Sequence, residues 1–374
     1  MKIKRIEVYQ ADLPYSGGVY RLSGGREYTS FDATFTRVIT DTGLDGWGES
    51  TPFGGTYIAA HAKGGRAGID DIAPAVLGMD PRQTTRVYDA MDGALLGHNH
   101  AKAGIDIACW DIFGKAANMP VCDLLGGRID TPVQMISSIG GDTPEAMRAN
   151  VAAHRAKGFM GHSIKIGASE ADGGPMLDAE RIQACLADRQ SGEWFLADAN
   201  NGLTVEHALR MLALLPDGLD FVLEAPCPSW VETQSLRARC KIPLLMDELI
   251  QNDADIIQAI SQNTCDGVGV KITKQGGLTP SLRQMHLCHA AGLVASIQDT
   301  TGSDISFAAI LHLAQATPRN ILRCALDTRS MVSQTTAQFH APITNGGATA
   351  PTDAGLGIIP DMDVMGTPIA VYEV

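Results

Sequence analysis

The eight cysteines include no Cys-x-x-Cys pair, and most of them sit inside apolar runs. A zinc ribbon or a dithiol redox centre is therefore not expected, and reduced, buried thiols in a cytosol are. Basic residues are in short supply, with 29 Lys and Arg against 42 Asp and Glu, a net charge of −13. That balance argues against nucleic acid or an anionic membrane as the main partner. It leaves a small anionic substrate open, because a bound divalent cation can dominate the field of a site. No apolar run approaches the length of a membrane span. The first residues, MKIKRIEVYQADLP, alternate like a strand and lack an apolar signal core. Low-complexity tracts are absent too. The expectation is a cytoplasmic globular protein with a small-molecule partner and no membrane or nucleic-acid partner.

What is present is enough chain for a barrel and a second module: 374 residues, 45% of them hydrophobic. Residues 1 to about 50 carry strand-like segments, with Ile3, Ile6 and Val8 in one and Phe35 to Ile39 in the next. A turn at Asp41 to Gly43 leads into GLDGWGES, which predicts a three-stranded antiparallel sheet. Between the first two strands lies PYSGGVYRLSGGREYTS. Such a segment is either a plain hairpin connection or a lid over a site, at about residues 14–30. From Thr56 to about Leu125 the apolar residues recur three and four apart, as helices do. His98 and His100 precede the helix AKAGIDIACWDIFGKAAN and read as cap or packing histidines, with no third metal ligand nearby.

From about Thr131 the pattern alternates strand and helix. Strands are expected to end near Ser138, Lys165, Asp198, Glu224, Asp247, Lys271, Gln298 and Asp327. Eight such strands imply a closed parallel barrel. Five of the stations carry Lys165, Asp198, Glu224, Asp247 and Lys271, at spacings of 33, 26, 23 and 24 residues. Each spacing is close to one β/α unit of about 30 residues. Singly, each acid reads as a turn or N-cap residue and each lysine as a surface charge. Together, at the C-terminal ends of consecutive strands, they read as a catalytic set.

In a barrel, Asp198, Glu224 and Asp247 fall on neighbouring strands three, four and five. Three converging carboxylates suit a hard divalent cation, Mg²⁺ foremost. Lys165 and Lys271 fall on strands two and six, which are diametrically opposed in an eight-stranded ring. A flat carbanionic intermediate between them would show one face to each amine. This suits removal of a proton next to a carboxylate, with the metal stabilising the enediolate. Two opposed amines permit either 1,1-proton transfer or β-elimination.

These residues resemble the enolase superfamily, and the lysines on strands two and six resemble its muconate-lactonizing subgroup. The mandelate racemase subgroup would carry an Asp on strand six and a His ending strand seven. Here those strands end in VKITKQGG and SIQDTTG. The resemblance covers essentially the whole chain. It implies a modified TIM barrel, (β/α)7β, with an α+β capping domain built from the N-terminal segment and the C-terminal tail. The expected divisions are 1–126 for the capping domain, 127–345 for the barrel and 346–374 for the return. It also implies Mg²⁺ as cofactor and a homo-oligomer.

One departure bears on substrate. The family usually has Lys-x-Lys on strand two, whereas this chain has Ser163-Ile164-Lys165. Alternation puts residue 163 on the same side as 165, so a positive neighbour is missing. The metal and Lys271 are left to depress the pKa of Lys165. A neutral residue there resembles a branch acting on proline-like amino acids, which includes hydroxyproline betaine epimerases and cis-3-hydroxy-L-proline dehydratases. The candidate substrate contacts are Ser163, Asn200, Tyr57 and Asp327. Tyr57 matches a capping-domain aromatic, or is plain packing. Asp327 is either a turn cap or, as in dipeptide epimerases, the partner of a substrate ammonium. In the second role it favours an unmethylated imino acid over a betaine. The implied activity is dehydration of a 3-hydroxyproline with 2-epimerisation as a competitor. The alternatives are a betaine epimerase, a dipeptide epimerase, or a catalytically silent ligand-binding relative.

Overall fold

The computed structural model describes residues 1–22 and 25–374. Residues 23 and 24, within the expected lid segment, lie outside the described residues. Strand Ile3–Pro14 pairs antiparallel with Ser30–Thr40, and that strand with Asp45–Ser50. The tight turn between the last two needs Gly43, whose φ is 85°. The sheet has a fourth strand, formed by the expected return of the C-terminal tail. Ala370–Glu373 returns from the far end of the chain and pairs with the first strand, Ile6 opposite Tyr372. Only long-range pairing specifies it, so alternation near the N-terminus is silent about it.

Helices Ala62–Val76, Thr84–Ala94 and Asn99–Ala117 pack on this sheet. The glycines of GLDGWGES explain how closely. A Cβ on Gly46 would stand 2.2 Å from the Ala108 carbonyl oxygen, and one on Gly48 would stand 2.1 Å from that of Gly104. Helix and strand therefore meet backbone to backbone, which a larger residue would forbid. Ile3, Ile6, Val8 and Val38 fill the space against Ile69, Ile72 and Val76.

The second sheet is a closed parallel barrel. Its strands, in order, are Val133–Ile139, Gly161–Lys165, Trp194–Asp198, Val222–Glu224, Leu244–Met246, Gly267–Lys271, Val294–Gln298 and Leu322–Leu326. The eighth closes on the first through Ala325 opposite Met135. Seven helices of eight residues or more lie between consecutive strands. Several start on caps visible in the sequence: Thr143, Thr204 and Ser229 each accept from a backbone N–H in the first turn, and Asn252 forms a capping box with Asp255. The seventh, Asp304–Ala316, is buried nearly all round. Its N-terminus is held by an acid from the other sheet. Glu49 accepts from Ser303 N at 2.8 Å, Ser303 Oγ at 2.6 Å and Ser306 N at 3.0 Å. Asp106, from helix Asn99–Ala117, likewise accepts from Thr279 N at the start of Leu278–Ala291. Two buried capping-side acids thus dock onto the N-termini of two barrel helices. Among the described residues no helix is long and apolar enough to cross a membrane, and all eight cysteines are unpaired.

Candidate active site

The strand register brings Lys165, Asp198 and Glu224 level, while Glu224 stands opposite Leu245, two residues before Asp247. All five side chains are buried. Each lysine rests on an acid: Lys165 Nζ donates to Asp198 Oδ2, and Lys271 Nζ lies 2.5 Å from Asp247 Oδ2. Burial works against the charge on both amines. Asp198 beside Lys165, and Asp247 with Glu248 beside Lys271, outweigh it and hold both pKa values above the ordinary lysine value.

The acids differ in support. Asp198 takes the Asn200 backbone N–H at 2.9 Å and its amide at 3.0 Å. Asp247 is buried, yet Lys271 and Lys274 hold its carboxyl down at about 2. Glu224 has little support. Its Oε1 is buried and has no hydrogen-bond partner among the described residues. Burial, then the charges of Asp198 and Asp247, push its pKa well above the ordinary value.

Above the lysines is a small chamber of about 40 Å³. Ser163, Asn200, Gln298 and Asp299 contribute to its wall, and Tyr20, Leu22, Phe53 and Tyr57 roof it. Aromatic residues are only 5% of the chain, yet four of its seven tyrosines gather in this roof region. Tyr15 packs on Tyr20, and Tyr20, Tyr28 and Tyr57 pack round Phe53 at centroid distances of 4.6–5.4 Å. Tyr57 also touches the chemistry. Lys271 Nζ donates to its hydroxyl and lies 4.8 Å from its ring centre. Behind Tyr57 and Glu248 a wider cleft of about 520 Å³ opens, lined by His98, Asn99, His100 and Lys274. His100 is tied to Ser50 Oγ at 3.0 Å, and burial lowers its pKa to about 3.

Asp327 takes the turn-cap geometry in the structure. It caps a short turn, accepting from Ser330 N at 3.3 Å, and faces Arg329 at 3.4 Å. Leu326 lines the chamber instead. At the end of strand eight the acid enters the Thr328–Met331 turn, the cap role of the two that its sequence allowed. Asn200 is in the chamber wall, but its amide serves Asp198 and Glu248, both at 3.0 Å. Two buried charges escape a reading based on strand ends. Glu248 adjoins Asp247 in MDE, and Lys274 lies one helical turn past Lys271 in KITKQ. Their proximity to known stations is the only signal the sequence offers.

The residues fit a divalent cation by chemistry. The donors are all carboxylate oxygens on adjacent strands, and Glu224 Oε1 is an orphaned buried acceptor. Gly269 keeps the floor clear: a Cβ there would lie 3.3 Å from Asp247 Cβ and 3.4 Å from Glu224 Oε1. With the lysines resting on Asp198 and Asp247, no three donors among the described residues stand together as a ready metal set.

Comparison with known proteins agrees with this architecture. Residues 29–126 match the mandelate racemase/muconate lactonizing enzyme N-terminal domain, and residues 146–364 match the enolase C-terminal domain-like family. A cis-3-hydroxy-L-proline dehydratase of Roseibium aggregatum is 37% identical over 100% of both chains. An N-succinyl-L-Arg/Lys racemase of Bacillus cereus is 28% identical over 84% of each. Among solved structures, a protein of Roseovarius nubinhibens ISM that carries the mandelate racemase/muconate lactonizing family name, solved as a complex with magnesium, superposes with a TM-score of 0.98. It is 67% identical, with 100% of both chains covered. The chain belongs to the mandelate racemase/muconate lactonizing enzyme family of the enolase superfamily.

Proposed function

We propose that this chain is a Mg²⁺-dependent hydro-lyase that converts cis-3-hydroxy-L-proline to Δ1-pyrroline-2-carboxylate. The observation that carries the reading is the pair of buried lysines on opposed strands facing one small chamber. The full-length likeness to a dehydratase of that name supports the choice of substrate. In this reading Asp198, Glu224 and Asp247 would hold the metal. When bound, Mg²⁺ supplies positive charge, both to the substrate carboxylate as its α-carbon loses a proton and to the acids that now keep the lysines protonated.

The chain's own residues supply the proton transfers. In the cis substrate the hydroxyl and carboxylate share one ring face, so the α-hydrogen lies on the other. One lysine takes that hydrogen, and the opposed lysine gives a proton to the departing hydroxyl. Water leaves anti, and the enamine that remains tautomerises to the cyclic imine. The aromatic roof excludes water while the carbanion exists. We place the lid in the segment at about 14–30 and the capping, barrel and return divisions at 1–126, 127–345 and 346–374. The site belongs to a cytoplasmic homo-oligomer in this proposal.

A second reading has its own observation. Tyr20, Phe53 and Tyr57 line the chamber, and aromatic faces suit a quaternary ammonium. A proline betaine or hydroxyproline betaine 2-epimerase would use the same two lysines, returning a proton to the α-carbon from the opposite face. Turnover of a panel of free and N,N-dimethylated proline analogues in D₂O separates the two. Loss of water with deuterium entry at the α-carbon of unreacted 3-hydroxyproline supports dehydration. Faster inversion of betaines would replace it with epimerisation. No exchange and no turnover with any analogue would leave a silent binding protein.

A further inference from the structure

We propose that Lys274 is a positioning residue that fixes Asp247 as a metal ligand through a permanent two-point grip. The inference rests on the metal reading given above and goes beyond it. Lys274 is 5% exposed. Its ammonium donates to the Asp247 backbone carbonyl at 2.6 Å and to Oδ1 at 2.9 Å. Holding both the main chain and one carboxylate oxygen fixes the side-chain torsions of Asp247. The other oxygen, Oδ2, is left on the side where Lys271 stands at 2.5 Å. A metal competing for Asp247 would therefore displace only Lys271, never Lys274.

The grip is itself anchored from three directions. Asp299 takes Thr273 N at 3.2 Å and its hydroxyl at 2.6 Å. Gln275 donates to the Ile250 carbonyl at 2.8 Å. Asn99, at the start of the capping helix, donates to the carbonyls of Lys274 at 2.9 Å and Gln251 at 3.2 Å. The loops after strands five and six are thus laced together, and the capping helix pins the lacing. Among the described residues no second lysine grips the neighbouring acids in this way, and Asp198 has Lys165 alone as its charged partner. Asp198 is oriented by the neutral groups of Asn200, and Glu224 Oε1 has no partner.

The sign of one measurement separates positioning from simple charge. Removing a cation beside a metal site should tighten Mg²⁺ binding on Coulombic grounds alone. Removing a group that orients a ligand should weaken it, by about 10–100-fold. The experiment is calorimetric titration of MgCl₂ into metal-free wild type, Lys274→Met and Lys274→Gln, each checked by circular dichroism. Expected are one site in the wild type, about 10–100-fold weaker binding in Lys274→Met and an intermediate loss in Lys274→Gln, which keeps an N–H donor. If Lys274→Met does not fold, Lys274→Gln decides. With cis-3-hydroxy-L-proline as substrate, the Mg²⁺ concentration for half activity should rise while kcat at saturating Mg²⁺ stays within a few-fold. Equal or tighter binding in a folded variant overturns the inference, as does a kcat that saturating Mg²⁺ cannot restore. Calorimetry needs no substrate, so it stands apart from the substrate reading. A wild type that binds no Mg²⁺ would remove the metal reading and this inference together.

Discussion

The two lysines face one chamber, but their surroundings are not alike. Lys165 rests on Asp198, which is otherwise held by neutral Asn200. Its neighbour on the same strand face is Ser163, and its roof is Tyr20 of the expected lid. Lys271 shares Asp247 with Lys274 and donates to Tyr57. One half is a single ion pair under a hairpin. The other is an acid between two cations, tied to the capping helix through Asn99. A symmetric pair of amines would suit racemisation, where either face must serve equally. An unequal pair suits a reaction with one base and one acid.

The largest expected effect tests both halves at once. Lys165→Ala and Lys271→Ala should each lower turnover by about 10²–10⁴-fold, the usual worth of a general acid or base. Their stabilities should differ. Lys165→Ala leaves Asp198 as a buried charge without a cation, a loss of about 3–5 kcal/mol. Lys271→Ala leaves Asp247 still paired with Lys274 and should cost less. Urea unfolding of the two metal-free variants measures this. Equal losses would mean that the halves are equivalent after all.

Glu224 sits midway between the halves, two strands from each lysine. A carboxyl whose folded pKa is raised costs stability at every pH above its unfolded value. Glu224→Gln should therefore stabilise the metal-free protein near neutrality, by about 1–3 kcal/mol for a buried unsatisfied group. The gain should fade as pH drops toward the ordinary value of 4.5. Added Mg²⁺ should reverse the order, raising the Tm of the wild type and leaving the variant unmoved. Thermal unfolding with and without Mg²⁺ decides it. A variant less stable than wild type without metal would show that Glu224 is not strained.

Tyr57→Phe probes the Lys271 half alone. The hydroxyl accepts one hydrogen bond from Lys271, worth about 0.5–1.5 kcal/mol. A loss of about two- to tenfold in kcat/KM is expected, with the ring and the roof kept. A loss as large as that of Lys271→Ala would make the phenol a reacting group.

The barrel is legible in the sequence because each apolar run ends on a charged or polar residue that repeats at the length of one β/α unit. Lys165, Asp198, Glu224, Asp247 and Lys271 share that signal, and closure of the barrel then gathers them at one end. Glu248 and Lys274 do not share it. They lie just past the strand ends, where the chain has left the alternation that says which way a side chain points. The return of the tail to the capping domain is legible, but its strand pairing is not: Ile6 and Tyr372 meet only once the whole chain has folded. Asp327 shows the limit of residue type. An aspartate after a strand is equally good as a cap and as an ammonium partner, and in the structure the neighbours it meets are Ser330 and Arg329.

Asp327 also gives the smallest expected effect. Strand eight lies opposite Glu224, again two strands from each lysine, so an acid there could serve substrate held between the two halves. The structure turns it away into the Thr328–Met331 turn. Asparagine caps about as well as aspartate, and the ion pair lost with Arg329 spans 3.4 Å with the arginine side chain 27% exposed. Such a partly solvated pair contributes about 0–1 kcal/mol. Asp327→Asn should thus change neither Tm nor kcat/KM for free 3-hydroxyproline by more than a few-fold in rate. An acid that paired with the substrate's secondary ammonium would behave otherwise. Loss of a charge-assisted hydrogen bond of about 1.5–3 kcal/mol would lower kcat/KM roughly ten- to a hundredfold. Asp327→Ala adds the control, since it removes the cap and should lower Tm while sparing the rate at lower temperature. A tenfold or greater fall in kcat/KM for Asp327→Asn, with Tm intact, would show that Asp327 swings into the chamber when substrate binds. The midpoint between the lysines would then carry the specificity for the ring nitrogen.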